Sequence, residues 1–71
     1  MTTFMKHVVG EVVRARAKHP KRFNSQHEGI AIIREEYLEL EHEIFHGDGI
    51  QTRNELVQLA AMCQRFAEDC L

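Results

Sequence analysis

The sequence predicts an all-α chain: three antiparallel helices that complete a helical bundle by homo-oligomerisation. Three observations carry this. Apolar residues recur at spacings of three and four along three separate segments, and nowhere do they alternate as in a strand. Only two stretches interrupt them, the polar "KHPKRFNS" around Pro20 and "HGDG" at residues 46–49. The middle segment has two apolar sides, more than one neighbour in a 71-residue chain would cover.

The first helix is expected over 3–18. Phe4, Val8, Val12 and Ala15 share a stripe, widened by Met5 and Val9. Gly10 weakens its middle by about 1 kcal/mol relative to alanine. The second helix is expected over 26–46, because Ser25 followed by Glu28 is a capping-box pattern. Ile30, Ile33, Tyr37, Leu40 and Ile44 form one stripe, with Ala31, Leu38 and Phe45 beside it. The opposite side carries Glu28, Glu35, Glu36, Glu39 and Glu43. Ile32 stands among those acids, so that face should be partly covered. The third helix is expected over 53–70, capped by Thr52 with Glu55 at the third position. Its stripe is Leu56, Leu59, Cys63, Phe66 and Cys70, flanked by Ala60, Met62 and Ala67. Gly47 suits a left-handed helix end, and the short connections should make neighbouring helices antiparallel.

Residues 1–71 form a single domain, and a chain this short buries only about 60 % of its unfolded surface. Association into a homodimer or homotetramer would complete the core. No apolar run approaches the roughly 20 residues that span a bilayer. "MTTFMKHVVGEVV" lacks a signal-peptide layout because Glu11 interrupts it, so the cytoplasm is the expected location. The net charge of −2 gives no overall attraction to nucleic acid. Neither a recognition-helix pattern nor aromatic interleaving supports nucleic-acid binding by the basic run. Cys63 and Cys70 are seven residues apart, about 10 Å along one helix, too far for a disulfide. They read as buried free thiols.

Charge is segregated. Five of the nine basic residues, Arg14, Arg16, Lys18, Lys21 and Arg22, lie between positions 14 and 22. Between 28 and 43 there are six glutamates and one arginine. Within "REEYLELEHE" (34–43), Glu35 and Glu39 are i,i+4 neighbours, as are Glu39 and Glu43. Each such pair destabilises a helix by about 0.2–0.5 kcal/mol. Either water solvates this face or a cation neutralises it. Glu28 and Glu55 also have a purely structural reading as capping residues. In "EEYLE", Glu35, Glu36 and Glu39 fall within about one turn and their carboxylates can converge on one cation. Mg2+ prefers such oxygen ligands and keeps several waters, leaving positions for substrate phosphate.

The run "HEGIAIIREEYLELEHEI", a short break, then "NELVQLAAMCQRFAEDC" resembles the all-α, MazG-like nucleoside triphosphate pyrophosphohydrolases over about residues 5–70. The signature of that group is E-E-x-x-E on one helix and E-x-x-D on the next. The resemblance implies a helical dimer or tetramer whose acids bind Mg2+, which in turn binds a nucleoside triphosphate. Water then cleaves between the α and β phosphates, giving a nucleoside monophosphate and pyrophosphate. Carried over by residue, Glu35, Glu36 and Glu39 match the first motif as catalytic residues. Metal ligation would fall to Glu36, Glu39, Glu55 and position 58. That position is Gln58 here, where the signature has aspartate. Glutamine offers a carbonyl oxygen and no charge. Asp69 lies three turns further on and does not substitute. The alternative reading is therefore a catalytically weak or inactive helical module that binds nucleotide or another protein.

The spacing does not single out which glutamate activates water. Lys18, Lys21 and Arg22 are candidates for the outer phosphates, with a solvated helix end as the plain alternative. Two E-x-x-H patterns, Glu39/His42 and Glu43/His46, resemble di-iron bundle motifs, which would need all of these side chains to point inward. "HEGIA" lacks the second histidine of the zinc-protease motif.

Overall fold

Thr2, Ser25 and Asp48 each turn a side-chain oxygen onto a backbone N–H three residues ahead, and each starts a helix. The distances are 3.1, 3.1 and 2.9 Å. In the computed structural model, which describes residues 1–71, α1 spans Thr3–Lys18, α2 Gln26–His46 and α3 Gly49–Cys70. There is no strand. No helix is long and apolar enough to cross a membrane.

The first two ranges are those expected, and the third is longer. Asp48 rather than Thr52 caps α3, while the Thr52 hydroxyl donates back to the Asp48 carbonyl at 2.9 Å inside the first turn. Gly47 is not left-handed (φ −110°, ψ −156°), so the connection reduces to Gly47 and Asp48. This earlier start removes Glu55 from any capping role. Its carboxylate stands on the second turn of α3. Glu28 does act as a cap, though its carboxylate reaches Asn24, accepting from the backbone N–H at 3.0 Å and from Nδ2 at 3.2 Å.

The helices form a layer with α3 in the middle. α1 and α2 each pack on α3 and not on each other's backbone. Arg53 of α3 meets His7 and Phe4, and Arg16 of α1 meets Glu68, so the two starts adjoin and the two ends adjoin. The start of α2 lies instead beside the end of α3. There Gly29 faces the Phe66 ring and the Cys70 thiol donates to the Ser25 carbonyl at 3.5 Å. Gly29 permits this approach because a Cβ would overlap Phe66 Cδ2 and lie 2.6 Å from Cε2.

Val8, Val12, Val57, Ala61 and Met62 are the core, edged by Phe4, Ala15, Phe23, Ile32, Ile33 and Ala60. On α3 the buried face is Val57, Ala61, Met62 and Arg65, shifted from the expected stripe; Leu56 and Cys63 are exposed. A helix with a neighbour on both sides buries the residues between them, and Ala61, with no exposure at all, stands at that centre. The thiols are free, as expected, but Cys63 is exposed and Cys70 only half-buried.

The larger correction concerns α2. The side facing α3 comprises Gly29, Ile32, Ile33, Glu36, Leu40 and Glu43. Ile32 is covered, as its position among the acids required. Three of the five residues of the expected stripe, Ile30, Tyr37 and Ile44, are exposed, as are Leu38 and Phe45 of the stripe beside it. Glycine at 29 selects the side that can approach Phe66, and that side brings the acids with it.

The linker between α1 and α2 is clamped to the end of α3. Arg65, 3 % exposed, donates to the carbonyls of His19 (3.0 Å) and Lys21 (3.2 Å) and lies over the Phe23 ring at 5.0 Å. The buried Asp69 carboxylate accepts from the Phe23 N–H and pairs with Arg16 and Arg22. Held this way, α1 and α2 stand apart over α3 and leave a groove between them.

Candidate functional site

α2 presents Glu35, Glu36 and Glu39 on its middle turns, and α3 presents Glu55 on its second. Because the α2 face toward α3 includes Glu36, the carboxylates of Glu36, Glu39 and Glu55 come within 4.8 Å of one another. Glu35 stands outside this trio and lines the groove with Glu36 and Gln58. Glu36 therefore belongs both to the acidic cluster and to the groove, which encloses about 1040 Å³.

No basic side chain balances these acids. The ion pairs of the chain are Arg14 with Glu11, Arg16 with Glu68 and Asp69, and Arg22 with Asp69. Oε2 of Glu36 and Oε2 of Glu55 are buried without any hydrogen-bond partner. Loss of water, then the charges of Glu39 and Glu55, a hydrogen bond with Glu39 and the charge of Glu35 push the Glu36 carboxyl up to about 7. Burial and then Glu39 and Glu43 raise Glu55 as well. At neutral pH a proton thus shares a site made of negative charge, the condition that a bound cation relieves.

A hard divalent cation fits the donor set. Three carboxylates converge, and two of their oxygens have no other partner. Gln58 adds a neutral amide beside them on the groove wall.

The opposite wall of the groove is basic. Lys18, Lys21 and Arg22 line it at the end nearest the linker. Arg22 is engaged in the clamp: it donates to the Glu68 carbonyl at 2.8 Å and lies 3.4 Å from Asp69. Sequence reasoning passed over Lys6, His7 and Arg53, which line the same groove. They are scattered over two helices and share no motif; only the α1–α3 register, fixed by Arg53 on His7 and Arg16 on Glu68, brings them together. It also passed over Arg65, whose burial follows from the linker carbonyls it serves. Comparison with protein-family models, curated proteins and solved structures finds no match to this chain.

Proposed function

We propose that the chain is a Mg2+-dependent nucleoside triphosphate pyrophosphohydrolase of the MazG-like kind, working as a homodimer or homotetramer. The observation that carries this is the convergence of Glu36, Glu39 and Glu55 within 4.8 Å, with orphaned oxygens, at the edge of a groove whose other wall is basic. The E-E-x-x-E motif and the glutamate of the second motif are thereby adjacent in space, as the resemblance requires. The contacts of Gly29 with Phe66 and of Glu36 with Glu55 support an antiparallel α2–α3 pair. The exposed apolar face of α2 supports association.

Glu36, Glu39 and Glu55 would hold the metal, with Gln58 in the place of the missing aspartate. A divalent cation held there would supply charge to neutralise phosphate oxygens and to make water more acidic. Glu35, which lines the groove and stands outside the ligand trio, would take the proton of the attacking water. The water oxygen would join one phosphorus of the α–β linkage as the bridging P–O bond breaks, giving nucleoside monophosphate and pyrophosphate. Cations lining the groove would hold the outer phosphates as charge moves onto them.

The test is hydrolysis of a panel of nucleoside triphosphates with Mg2+, followed by 31P NMR. Wild type is expected to release pyrophosphate and monophosphate. Glu36→Gln is expected to stay folded and to lose at least about a hundredfold in rate, the scale of losing preorganised charge at a reacting centre. Gln58 favours a second reading, in which the fold binds nucleotide without turnover. Mg2+-dependent binding of a non-hydrolysable analogue with no release from any triphosphate would select it. No binding and no hydrolysis would sink both.

A further inference from the structure

The groove carries cations at both ends, and the two ends are not equivalent. At the linker end Arg22 is held by Asp69 and the Glu68 carbonyl, while Lys18 and Lys21 make no ion pair. At the other end Lys6 makes no ion pair, and Arg53 touches no carboxylate. The Arg53 guanidinium rests over Phe4 at 5.5 Å, with Nη1 2.8 Å from His7 Nδ1. An arginine buttressed by an aromatic face and an imidazole keeps its remaining N–H groups free for an anion.

Position along the helices separates the two ends further. The contact of Arg53 with His7 sets this part of α1 beside the second turn of α3, which also carries Glu55, two residues on and turned toward α2. Glu55 is within the acidic trio with Glu36 and Glu39. Lys18 lies eleven residues beyond His7, about 16 Å along the α1 axis. A diphosphate group fixed at the acids does not reach that far. Between the ends, Gly10 opens the α1 wall: a Cβ there would meet nothing within 4 Å. Gln51 and Asn54 add amides to the same end of the groove.

We infer that Lys6 and Arg53, with His7 supporting Arg53, form the polyphosphate-binding rim of the groove, and that the Lys18–Arg22 run does not. The inference rests on the proposed function for the nature of the anion and on the groove for its location. The two hydrogen-bonding edges of the Arg53 guanidinium divide the work: one side meets His7, and the other faces a phosphate oxygen. Arg53 thereby acts as a positioning residue, setting the outer phosphates at a fixed place relative to Glu36, which lines the same groove.

Inorganic tripolyphosphate is the probe, because it carries the anion without base or sugar. Its affinity for the full chain would be measured by calorimetry with and without Mg2+. Lys6→Gln and Arg53→Gln are each expected to weaken it about tenfold, the equivalent of one charge-assisted hydrogen bond. Arg53→Lys should recover only part of that loss, since lysine cannot keep the His7 contact and the Phe4 stacking together. The double variant Lys18→Gln/Lys21→Gln is expected to change affinity less than about twofold. A loss in that double variant equal to the Lys6 or Arg53 loss would overturn the assignment, and so would absence of tripolyphosphate binding by wild type. Hydrolysis is read separately. A chain that binds tripolyphosphate through Lys6 and Arg53 yet turns over no nucleotide keeps the rim and loses the enzyme.

Discussion

Glu36 on α2 and Glu55 on α3 each bury a carboxylate oxygen that meets no donor, and both lie within 4.8 Å of the Glu39 carboxylate. Two helices are thus packed through groups that repel each other when ionised. Removing a buried charge from water is unfavourable unless a partner replaces the water. The fold keeps this arrangement at the same height as the groove between α1 and α2, where a cation and an anion could both be accommodated.

Stability should therefore depend on pH in a direction unusual for an acidic protein. Glu36 is pushed up to about 7 from an ordinary 4.5, and Glu55 is raised too. Between those values the folded state holds protons that the unfolded chain has released, so stability falls as pH rises. Asp69 and Glu68 act oppositely. Burial alone would raise Asp69, but the Phe23 N–H and the Arg16 and Arg22 charges more than offset it. Hydrogen bonds from Arg16 and Gln64 lower Glu68. Their stabilisation is present above the ordinary carboxylate range and is lost as pH falls through the lowered values. Urea midpoints with chelator present should peak near about pH 5 and decline toward about pH 8. Millimolar Mg2+ should flatten the decline. Midpoints that climb steadily over that range in chelator, with Mg2+ inert, would remove the case for an unrelieved acidic cluster.

Two glycines on different helices should respond to alanine with opposite signs. At Gly10 a Cβ meets nothing, so Gly10→Ala should stabilise by up to about 1 kcal/mol through helix propensity. At Gly29 the same gain is opposed by overlap with the Phe66 ring and a 3.3 Å approach to Phe23. Overpacking of this kind costs about 1–3 kcal/mol, so Gly29→Ala should be net destabilising. Thermal unfolding of the two variants reads the signs directly. A rise in Tm for Gly29→Ala would mean that α2 does not approach Phe66 so closely.

Arg65 should matter for stability although it lies outside the acidic site. Its guanidinium serves two linker carbonyls and stacks on Phe23, while Nε has no partner. Arg65→Ala would leave the two carbonyls without their donor and is expected to destabilise by about 2 kcal/mol. Chemical denaturation measures the loss. Since the clamp holds the linker that separates α1 from α2, proteolysis between residues 19 and 25 should accelerate in the same variant.

The periodic segments made α1 and α2 legible to the residue, since Ser25 and the polar run around Pro20 mark their ends. α3 was misjudged at its start because Asp48 and Thr52 both offer a capping oxygen, and only the fold chooses between them. Although Glu35 stands outside the trio, the convergence of Glu36 and Glu39 was legible from their spacing. That Glu36 turns toward α3 while Ile30, Tyr37 and Phe45 turn outward was not. Apolar stripes indicate which faces leave water, not whether the covering surface is in the same chain. The rim residues Lys6 and Arg53 were illegible for a related reason: they meet through an interhelix register that no local pattern encodes.

The exposed α2 stripe carries the last prediction. Ile30 is 56 % exposed, Ile44 58 % and Phe45 74 %, with Tyr37 and Leu38 near half. Five large apolar side chains are exposed on one helix in a chain that buries only seven residues, and exposed apolar surface of this kind marks an association surface. Pairing two copies through it would leave the acidic cluster undisturbed, since Glu36, Glu39 and Glu55 gather on the α3 side of α2. Sedimentation equilibrium should therefore show a dimer or tetramer. Leu38→Glu combined with Phe45→Glu should shift it to monomer and lower the urea midpoint in a concentration-dependent way. A single change on another helix, Ala17→Glu on α1, should leave the assembly intact. A wild-type chain that sediments as a stable monomer at micromolar concentration would show that this face is left open, and the core of Val8, Val12, Val57, Ala61 and Met62 would then have to hold the fold alone.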